Sequence, residues 1–228
     1  MDTSSKINFD WSHLHLDALP EITRKAFLKC IETPFFSEQG WYLAGGTALV
    51  LQAGHRKSVD LDFFTPLKSF DEKKAEETLS TVSNWRTTSI DRATVYGEFD
   101  GAKMSLISYP FFQIAKPFLK IKNVSVVTPP DIAAMKITAI SQRGKKRDFF
   151  DLYWLSINTQ PLFESIESAQ NQYNVKQNIN HILKSLVYFE DANDDPEPEI
   201  FFDANWEKVK SFFNKEIPII TKKLLGLD

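Results

Sequence analysis

The pattern of hydrophobic and polar positions changes near residue 128. Upstream, short apolar or alternating runs that predict strands are mixed with stretches of helical periodicity, and downstream the periodicity is helical almost throughout. The predicted strands cover residues 41–44, 59–64, 85–96, 102–109 and 119–127, and the predicted helices cover 16–32, 47–55, 71–83, 131–140, 148–157 and most of 160–226. We therefore predict an α+β fold. A mixed sheet flanked by helices forms a core over residues 1–128, and a helical domain over 129–228 closes a cleft.

Charged positions mark interruptions in this pattern. Arg143 to Arg147 contains four cations, and the segment from Glu190 to Glu199 is acidic. Runs of this kind are usually solvated, so both are predicted to be exposed loops. Beside a cleft, the basic run would instead grip RNA phosphates in a salt-sensitive way. His55 and Arg56 follow a predicted helix end, where cations complement the helix dipole; gripping a phosphate is the alternative.

Composition narrows the class of protein. The 228 residues are 43% hydrophobic and carry a formal charge of −3, which is typical of a globular chain and excludes a polycation that coats nucleic acid. Cys30 has no cysteine partner for a disulfide or a metal site, which fits a reducing, cytoplasmic setting. No apolar run reaches the roughly 18 residues of a membrane span. The first ten residues are polar, so no signal peptide is predicted.

The most informative segment is residues 41–64, where two glycines lie between a predicted strand and a predicted helix. Gly45 and Gly46 follow the predicted strand 41–44, and Thr47 is expected to cap the helix after them. Glycine lets a phosphate approach the backbone closely, and a helix N-terminus offers unpaired N–H groups. This turn therefore predicts a phosphate site.

Two acidic residues follow on the next predicted strand. Asp60 and Asp62 are two positions apart, which places both side chains on one face of a strand. Adjacent carboxylates repel each other unless a cation lies between them. Mg²⁺ that carries nucleotide phosphates prefers carboxylate ligands of this kind. The order strand, diglycine, helix, Asp-x-Asp strand therefore indicates phosphoryl or nucleotidyl transfer.

This order resembles the nucleotidyltransferase superfamily typified by DNA polymerase β. More specifically, roughly residues 38–155 resemble the AbiEii/AbiGii toxin family of nucleotidyltransferase-like proteins. The residues that carry the resemblance are Gly45-Gly46-Thr47-Ala48-Leu49, Gly54-His55-Arg56, Ser58, Asp60-Leu61-Asp62-Phe63-Phe64, Tyr109-Pro110-Phe111, Asp131 with Lys136, and Arg147-Asp148-Phe149-Phe150-Asp151-Leu152. The resemblance implies a polymerase β-like fold and Mg²⁺-dependent transfer of a nucleoside monophosphate from a nucleoside triphosphate.

The resemblance also implies a set of nucleotide-binding residues. Gly45, Gly46 and Thr47 would cradle the triphosphate, and Arg56 and Ser58 would also bind the nucleotide. These assignments come from the matched motifs and stand as expectations for the structure.

Catalytic roles follow from the same resemblance. Asp60 and Asp62 would hold Mg²⁺, and Lys136 would meet a phosphate or the nucleotide. Asp148 would be the late acidic residue of the site, with Asp151 as the less favoured candidate that could instead pair with Arg147.

One feature departs from polymerase-type enzymes, which often carry a third carboxylate on a later strand. The corresponding strand here offers Ser105, while Glu98 and Asp100 lie near a predicted turn. Two functions therefore stay open: a nucleotidyltransferase, or a degenerate nucleotide-binding module that acts through protein contacts. The family suggests an acceptor such as tRNA or a protein hydroxyl, a cognate antitoxin as partner, and a toxin–antitoxin or phage-defence setting.

Overall fold

The computed structural model of the protein describes residues 13–226. Its strands are β1 (Tyr42–Ala44), β2 (Leu61–Thr65), β3 (Trp85–Asp91), β4 (Thr94–Phe99), β5 (Ala102–Ser108), β6 (Leu119–Ile121) and β7 (Val124–Val126). Its helices are α1 (Glu21–Glu32), α2 (Gly45–Ala53), α3 (Glu72–Val82), α4 (Pro129–Arg143), α5 (Lys146–Asn158), α6 (Leu162–Gln172), α7 (Ile179–Ser185), α8 (Glu190–Asn193) and α9 (Trp206–Leu224). The predicted α+β class is confirmed.

Within the described residues, the strands form one mixed sheet in the order β3-β4-β5-β2-β1-β7-β6. Strand β2 is central: it pairs antiparallel with β1, where Ala44 is opposite Asp62, and parallel with β5, where Ser105 is opposite Asp62. The end of β1, the acidic strand and Ser105 are therefore neighbours in the sheet.

Strand β2 presents different chemistry on its two faces because side chains alternate along a strand. Leu61 and Phe63 are fully buried, and the Phe63 ring lies 4.3 Å from that of Phe36 in a 3₁₀ turn at Pro34–Ser37. Asp62 and Phe64 point to the opposite face, where they are half-buried and border a cleft. One strand thus anchors the core and presents the candidate site.

The helical half begins at Pro129, where α4 starts. Helix α4 packs against α5 and α6 and lines the cleft over the sheet, and α5 packs against α9. Backbone hydrogen bonds tie this half to the first: Lys57 N–H donates to the Glu199 carbonyl at 2.8 Å, and Phe201 N–H donates to the His55 carbonyl at 2.8 Å. The hydrophobic core is continuous across residue 128, so the division into two domains stays a prediction.

Two predicted strands and one predicted helix are each divided in the structure. The run 85–96 contains all of β3, a turn at Ala93 with φ of +53°, and the start of β4, while 119–127 is a hairpin that turns at Lys122 with φ of +49°. Neither positive-φ position is a glycine, the residue that favours this conformation, so neither turn was predicted. Pro20 likewise separates a 3₁₀ turn at Leu16–Ala18 from α1.

The two charged runs are not simply solvated loops, and that prediction is corrected. Lys146 belongs to α5 and is buried, and its Nζ donates to the carbonyl of Asp195 at 2.6 Å. The Asp195 carboxylate accepts from Lys145 Nζ at 3.0 Å, and Glu190 begins the short helix α8. Lys145, Lys146 and Asp195 thus join the two runs across the helical half. Among residues 13–226, no helix combines the length and apolar composition that a membrane crossing requires.

Gly97 of β4 allows a close contact within the sheet, and this contact is testable. A Cβ at Gly97 would lie 2.8 Å from the Arg86 carbonyl and would overlap the Trp85 ring. We expect Gly97→Ala to lower the free energy of unfolding by about 1–3 kcal/mol, because a packed strand must shift to admit the methyl group. Urea denaturation measures this change. Ser89→Ala, at an exposed position of β3, is the matched control; equal stability of both variants would contradict this packing.

Candidate active site

The diglycine turn lies directly beside the acidic strand. Gly45 starts α2 immediately after β1, and its φ of +71° is a conformation that other residues rarely adopt. A Cβ there would lie 3.5 Å from Oδ2 of Asp62, and a Cβ on Gly46 would overlap the Arg56 guanidinium. Both glycines line the cleft. The first N–H groups of α2, which have no partner within the helix, therefore begin beside the acidic side chains.

Thr47 does not cap α2, contrary to the prediction, because the helix already begins at Gly45 with Ala44 as its N-cap residue. The Thr47 side chain is buried; its hydroxyl donates to the Asp60 carbonyl and lies 2.9 Å from Ser58 Oγ. The hydroxyl thus fixes the segment before β2 against α2. Thr47 is absent from the side chains that line the cleft, whereas Ser58 lines it.

Asp60 and Asp62 line the cleft together, as predicted, although Asp60 lies just before β2. Asp62 Oδ1 accepts a hydrogen bond from Ser105 Oγ at 2.8 Å, and Asp60 Oδ2 lies 3.4 Å from Arg147 Nη1. Burial raises the pKa of the Asp62 carboxyl and the neighbouring Asp60 charge raises it further, while the Ser105 bond opposes them. The Asp62 charge is therefore under-compensated within the protein.

These two carboxylates suit a divalent cation such as Mg²⁺, because they offer hard oxygen ligands and an excess of negative charge. They do not form a larger set: residues 13–226 contain no group of three or more His, Cys, Asp and Glu side chains arranged to hold a metal. Ser105 occupies the sheet position beside Asp62. Glu98, predicted near a turn, lies on β4, lines the cleft and pairs with Arg86 at 2.6 Å, whereas Asp100 is in the turn.

A second pair of carboxylates is buried beneath the cleft, and here every charge is compensated. Asp151 lies 2.6 Å and 2.9 Å from Nε and Nη2 of Arg56, 2.7 Å from Nε2 of His55 and 2.6 Å from Nζ of Lys136. Asp148 lies 2.6 Å from the same Lys136 Nζ. The side chains of both aspartates are fully buried, and their spacing of three residues along α5 places them on the face that meets α4.

The titration of this network follows from its contacts. Burial alone raises the pKa of Asp151, but Arg56 and Lys136 outweigh it and hold that pKa well below its usual range. Burial likewise opposes the lowering of the Asp148 pKa by Lys136 and Arg143. Burial lowers the pKa of His55 despite its bond to Asp151, so the ring is neutral at pH 7. Both carboxylates are therefore charged acceptors that hold cations in place.

These contacts place several residues differently from the prediction. Asp148 is not among the cleft-lining residues, and the residue paired with Arg147 is Asp60, not Asp151. Lys136 and Arg56 do line the cleft, with Asp148 and Asp151 behind them. Both late aspartates thus belong to one network around Lys136, and the choice of Asp148 as the late acidic residue of the site stays a prediction.

The structure also brings residues to the cleft that the sequence reasoning missed. The cleft has a volume of about 610 Å³ and includes an aromatic and apolar wall. Its members beyond the predicted site include Phe64, Thr88, Tyr96, Gly97, Lys103, Met104, Ile107, Tyr109, Met135, Ala139, Gln142 and Arg143. The alternation of β2 already placed Phe64 on the face of Asp62. The contributions of α4 depend on tertiary packing, which no local pattern shows.

The sheet order and site geometry define a polymerase β-like nucleotidyltransferase fold. Comparison of structures agrees: a crystal structure from Helicobacter pylori, assigned provisionally to the nucleotidyltransferases, matches with a TM-score of 0.54 at 18% identity, over 92% of this chain and 99% of the other. A weaker match, with a TM-score of 0.47 and 13% identity, is MenT4, a nucleotidyltransferase toxin of Mycobacterium tuberculosis, over 89% of this chain and 86% of the other.

The sequence comparisons identify the family. The family model described as nucleotidyl transferase AbiEii toxin, type IV toxin–antitoxin system, matches residues 26–122 and 104–220. An uncharacterised protein of Aquifex aeolicus, aq_aa25, is 36% identical over 182 residues, which cover 78% of this chain and 86% of the relative. The chain belongs to the AbiEii nucleotidyltransferase toxin family, as the resemblance predicted.

The buried network provides a stability test. We expect Asp151→Ala to lower the free energy of unfolding by about 3–5 kcal/mol, because it leaves Arg56 and Lys136 without their shared buried acceptor. Urea denaturation at pH 7 measures the loss. The control is Asp203→Ala, which removes a carboxylate paired with Lys208 on the surface and should leave the protein close to wild type. Equal effects of the two substitutions would show that the buried network does not stabilise the fold.

Proposed function

We propose that this cleft binds a nucleoside triphosphate with Mg²⁺ and transfers its nucleoside monophosphate to an acceptor hydroxyl. The observation that carries the proposal is the closeness of Gly45 to Asp62: a Cβ added to the glycine would lie 3.5 Å from Oδ2 of the aspartate. The turn that would bind phosphate and the carboxylate that would bind the metal are therefore next to each other. Membership of a nucleotidyltransferase family supports the same chemistry.

The phosphates would lie at the charged end of the cleft. The N–H groups at Gly45 and Gly46 would donate hydrogen bonds to the phosphate oxygens, and the positive end of the α2 dipole would attract their negative charge. Arg56 and Lys136 line the same end and are held by Asp151 and Asp148. Together with Arg143, these side chains supply three positive charges against the two negative charges of Asp148 and Asp151. One positive charge is therefore available to a phosphate. We assign Asp148 and Asp151 as positioning residues that act through these cations.

Asp60 and Asp62 would hold the Mg²⁺, which when bound supplies neutralisation of charge on the phosphates. In the transfer itself, the acceptor hydroxyl oxygen forms a bond to the α-phosphorus and gives up its proton to water, while the bond between that phosphorus and pyrophosphate breaks and pyrophosphate leaves. The protein contributes alignment and fixed positive charge at the leaving group, which lower the barrier without any covalent intermediate.

The acceptor we favour is an RNA such as tRNA, with a protein hydroxyl as the alternative. Three exposed cations, Lys103, Arg143 and Arg147, line the cleft. They would contact phosphates of a polyanion, and this contact would weaken with salt. As a member of a type IV toxin–antitoxin family, the protein would be opposed by a cognate antitoxin.

A second candidate function is nucleotide binding without transfer, in which the protein acts through contacts with other proteins. The observation in its favour is Ser105, which stands beside Asp62 at the sheet position where a third carboxylate would complete the site.

Labelling separates the two functions. We expect incubation with an α-³²P-labelled triphosphate, Mg²⁺ and bulk RNA to label RNA or protein, and γ-labelled triphosphate to leave both unlabelled. Asp60→Asn should reduce labelling by at least about a hundredfold, because it removes a metal ligand. Asp203→Asn, distant from the cleft on an exposed surface, is the matched control. Triphosphate binding without label in any acceptor would favour the binding module, and label from the γ-position would indicate a kinase.

Metal binding has a test that does not depend on activity. The raised pKa of Asp62 means that its ionised form opposes folding at neutral pH, an effect that disappears as the pH falls and the group protonates. We therefore expect Asp62→Asn to raise the melting temperature in metal-free buffer at pH 7. Millimolar Mg²⁺ should raise the melting temperature of the wild type by a few degrees and leave Asp62→Asn unchanged. An equal Mg²⁺ response of both proteins would contradict the assigned ligands.

A further inference from the structure

The two ends of the cleft differ in chemistry. At the end next to α2 are Gly45, Gly46, Arg56 and Ser58, all polar or backbone groups. Strand β1 runs antiparallel to β2, with Ala44 opposite Asp62 and Tyr42 opposite Phe64. Movement along β2 from Asp62 to Phe64 therefore leads away from the diglycine turn, by about 7 Å at the usual rise of a strand.

The far end is apolar and is built from both the sheet and α4. Phe64 lies on the face of Asp62, and Ile107 is its neighbour in register on β5. The Tyr109 ring meets the Phe64 ring edge to face, with 5.3 Å between centroids, and its hydroxyl is 2.8 Å from that of Tyr173. These contacts hold the aromatic wall in place.

Helix α4 supplies the facing wall. Met135, Ala139, Gln142 and Arg143 follow the spacing i, i+4, i+7 and i+8, which puts them on one helical face, and all line the cleft. Within residues 13–226, the Gln142 side chain is exposed and takes part in no hydrogen bond of the structure. Its amide offers both donors and an acceptor next to the apolar side chains of Met135 and Ala139, with the Arg143 guanidinium beside it on the same helical face.

We propose that this apolar end is the nucleobase subsite, with Phe64 and Tyr109 on one side, Met135 and Ala139 on the other, and Gln142 reading the polar edge of the base. The inference rests on the proposed function, because the phosphates at α2 and the cation at Asp62 fix the direction in which the nucleoside extends. A flat base with one polar edge matches an aromatic and apolar slot with one amide at its rim. The charged end has no comparable surface.

The test compares each nucleoside triphosphate with inorganic tripolyphosphate by calorimetry in Mg²⁺. Wild-type protein should bind the preferred nucleoside triphosphate at least about tenfold more tightly than tripolyphosphate, since one base–aromatic stack contributes roughly 1–3 kcal/mol. Ala139→Trp should fill the slot, remove this advantage and leave tripolyphosphate binding unchanged. Ala139→Ser, which keeps the space, is the matched control. Melting temperatures verify that both variants are folded.

Two further variants sharpen the test. Phe64→Leu should weaken nucleoside triphosphate binding about fivefold or more without affecting tripolyphosphate, and Gln142→Ala should reduce the preference among the four bases. If Ala139→Trp binds the nucleotide as wild type does, or if the wild type binds tripolyphosphate equally well, the base subsite is refuted while the phosphate site stands. If neither ligand binds the wild type, the proposed function itself fails.

Discussion

The structure depends on unequal compensation of four carboxylates. Asp148 and Asp151 are fully buried and are matched by Arg56, Lys136 and Arg143. These carboxylates can be buried because each has close cationic partners. Removal of one member of a pair would leave the other charge buried without a partner. Among residues 13–226, Asp60 has only the exposed Arg147 at 3.4 Å, and Asp62 is bonded to the neutral Ser105, so most of their charge is left uncompensated beside the cleft.

The compensated pair links the two halves of the chain. Arg56 precedes β2 and comes from the sheet half, whereas Lys136 and Asp151 come from α4 and α5. Their ion pairs place cations from both halves at one end of the cleft, opposite the apolar wall. The uncompensated pair has the reverse effect on stability, because burial and mutual repulsion raise the pKa of Asp62. Such a cost is consistent with the proposed cation, which would supply the missing charge.

The fold class and the position of the cleft could be predicted because both depend on local patterns. Alternation placed Asp60 and Asp62 on one face, and the two glycines marked the start of α2. The roles of Asp148 and Asp151 could not be predicted in full, since Arg56 and Asp151 are 95 positions apart in the chain and meet only through tertiary packing. Tertiary packing also explains why the charged runs were wrongly predicted as solvated loops. Lys146 and Asp195 lie in separate charged runs of the sequence, but Lys146 Nζ donates to the Asp195 carbonyl across the helical half. The turns at Ala93 and Lys122 were not predicted because alanine and lysine rarely adopt a positive φ.

The most direct measurement is a crystal structure of the protein with Mg²⁺ and a non-hydrolysable nucleoside triphosphate. We expect a cation about 2.0–2.1 Å from carboxylate oxygens of Asp60 and Asp62. We also expect the phosphates to lie against Gly45 and Gly46, with the base between Phe64 and Met135. A cation bound elsewhere, or a triphosphate tail that lies away from the diglycine turn while Asp62 stays unligated, would contradict this arrangement.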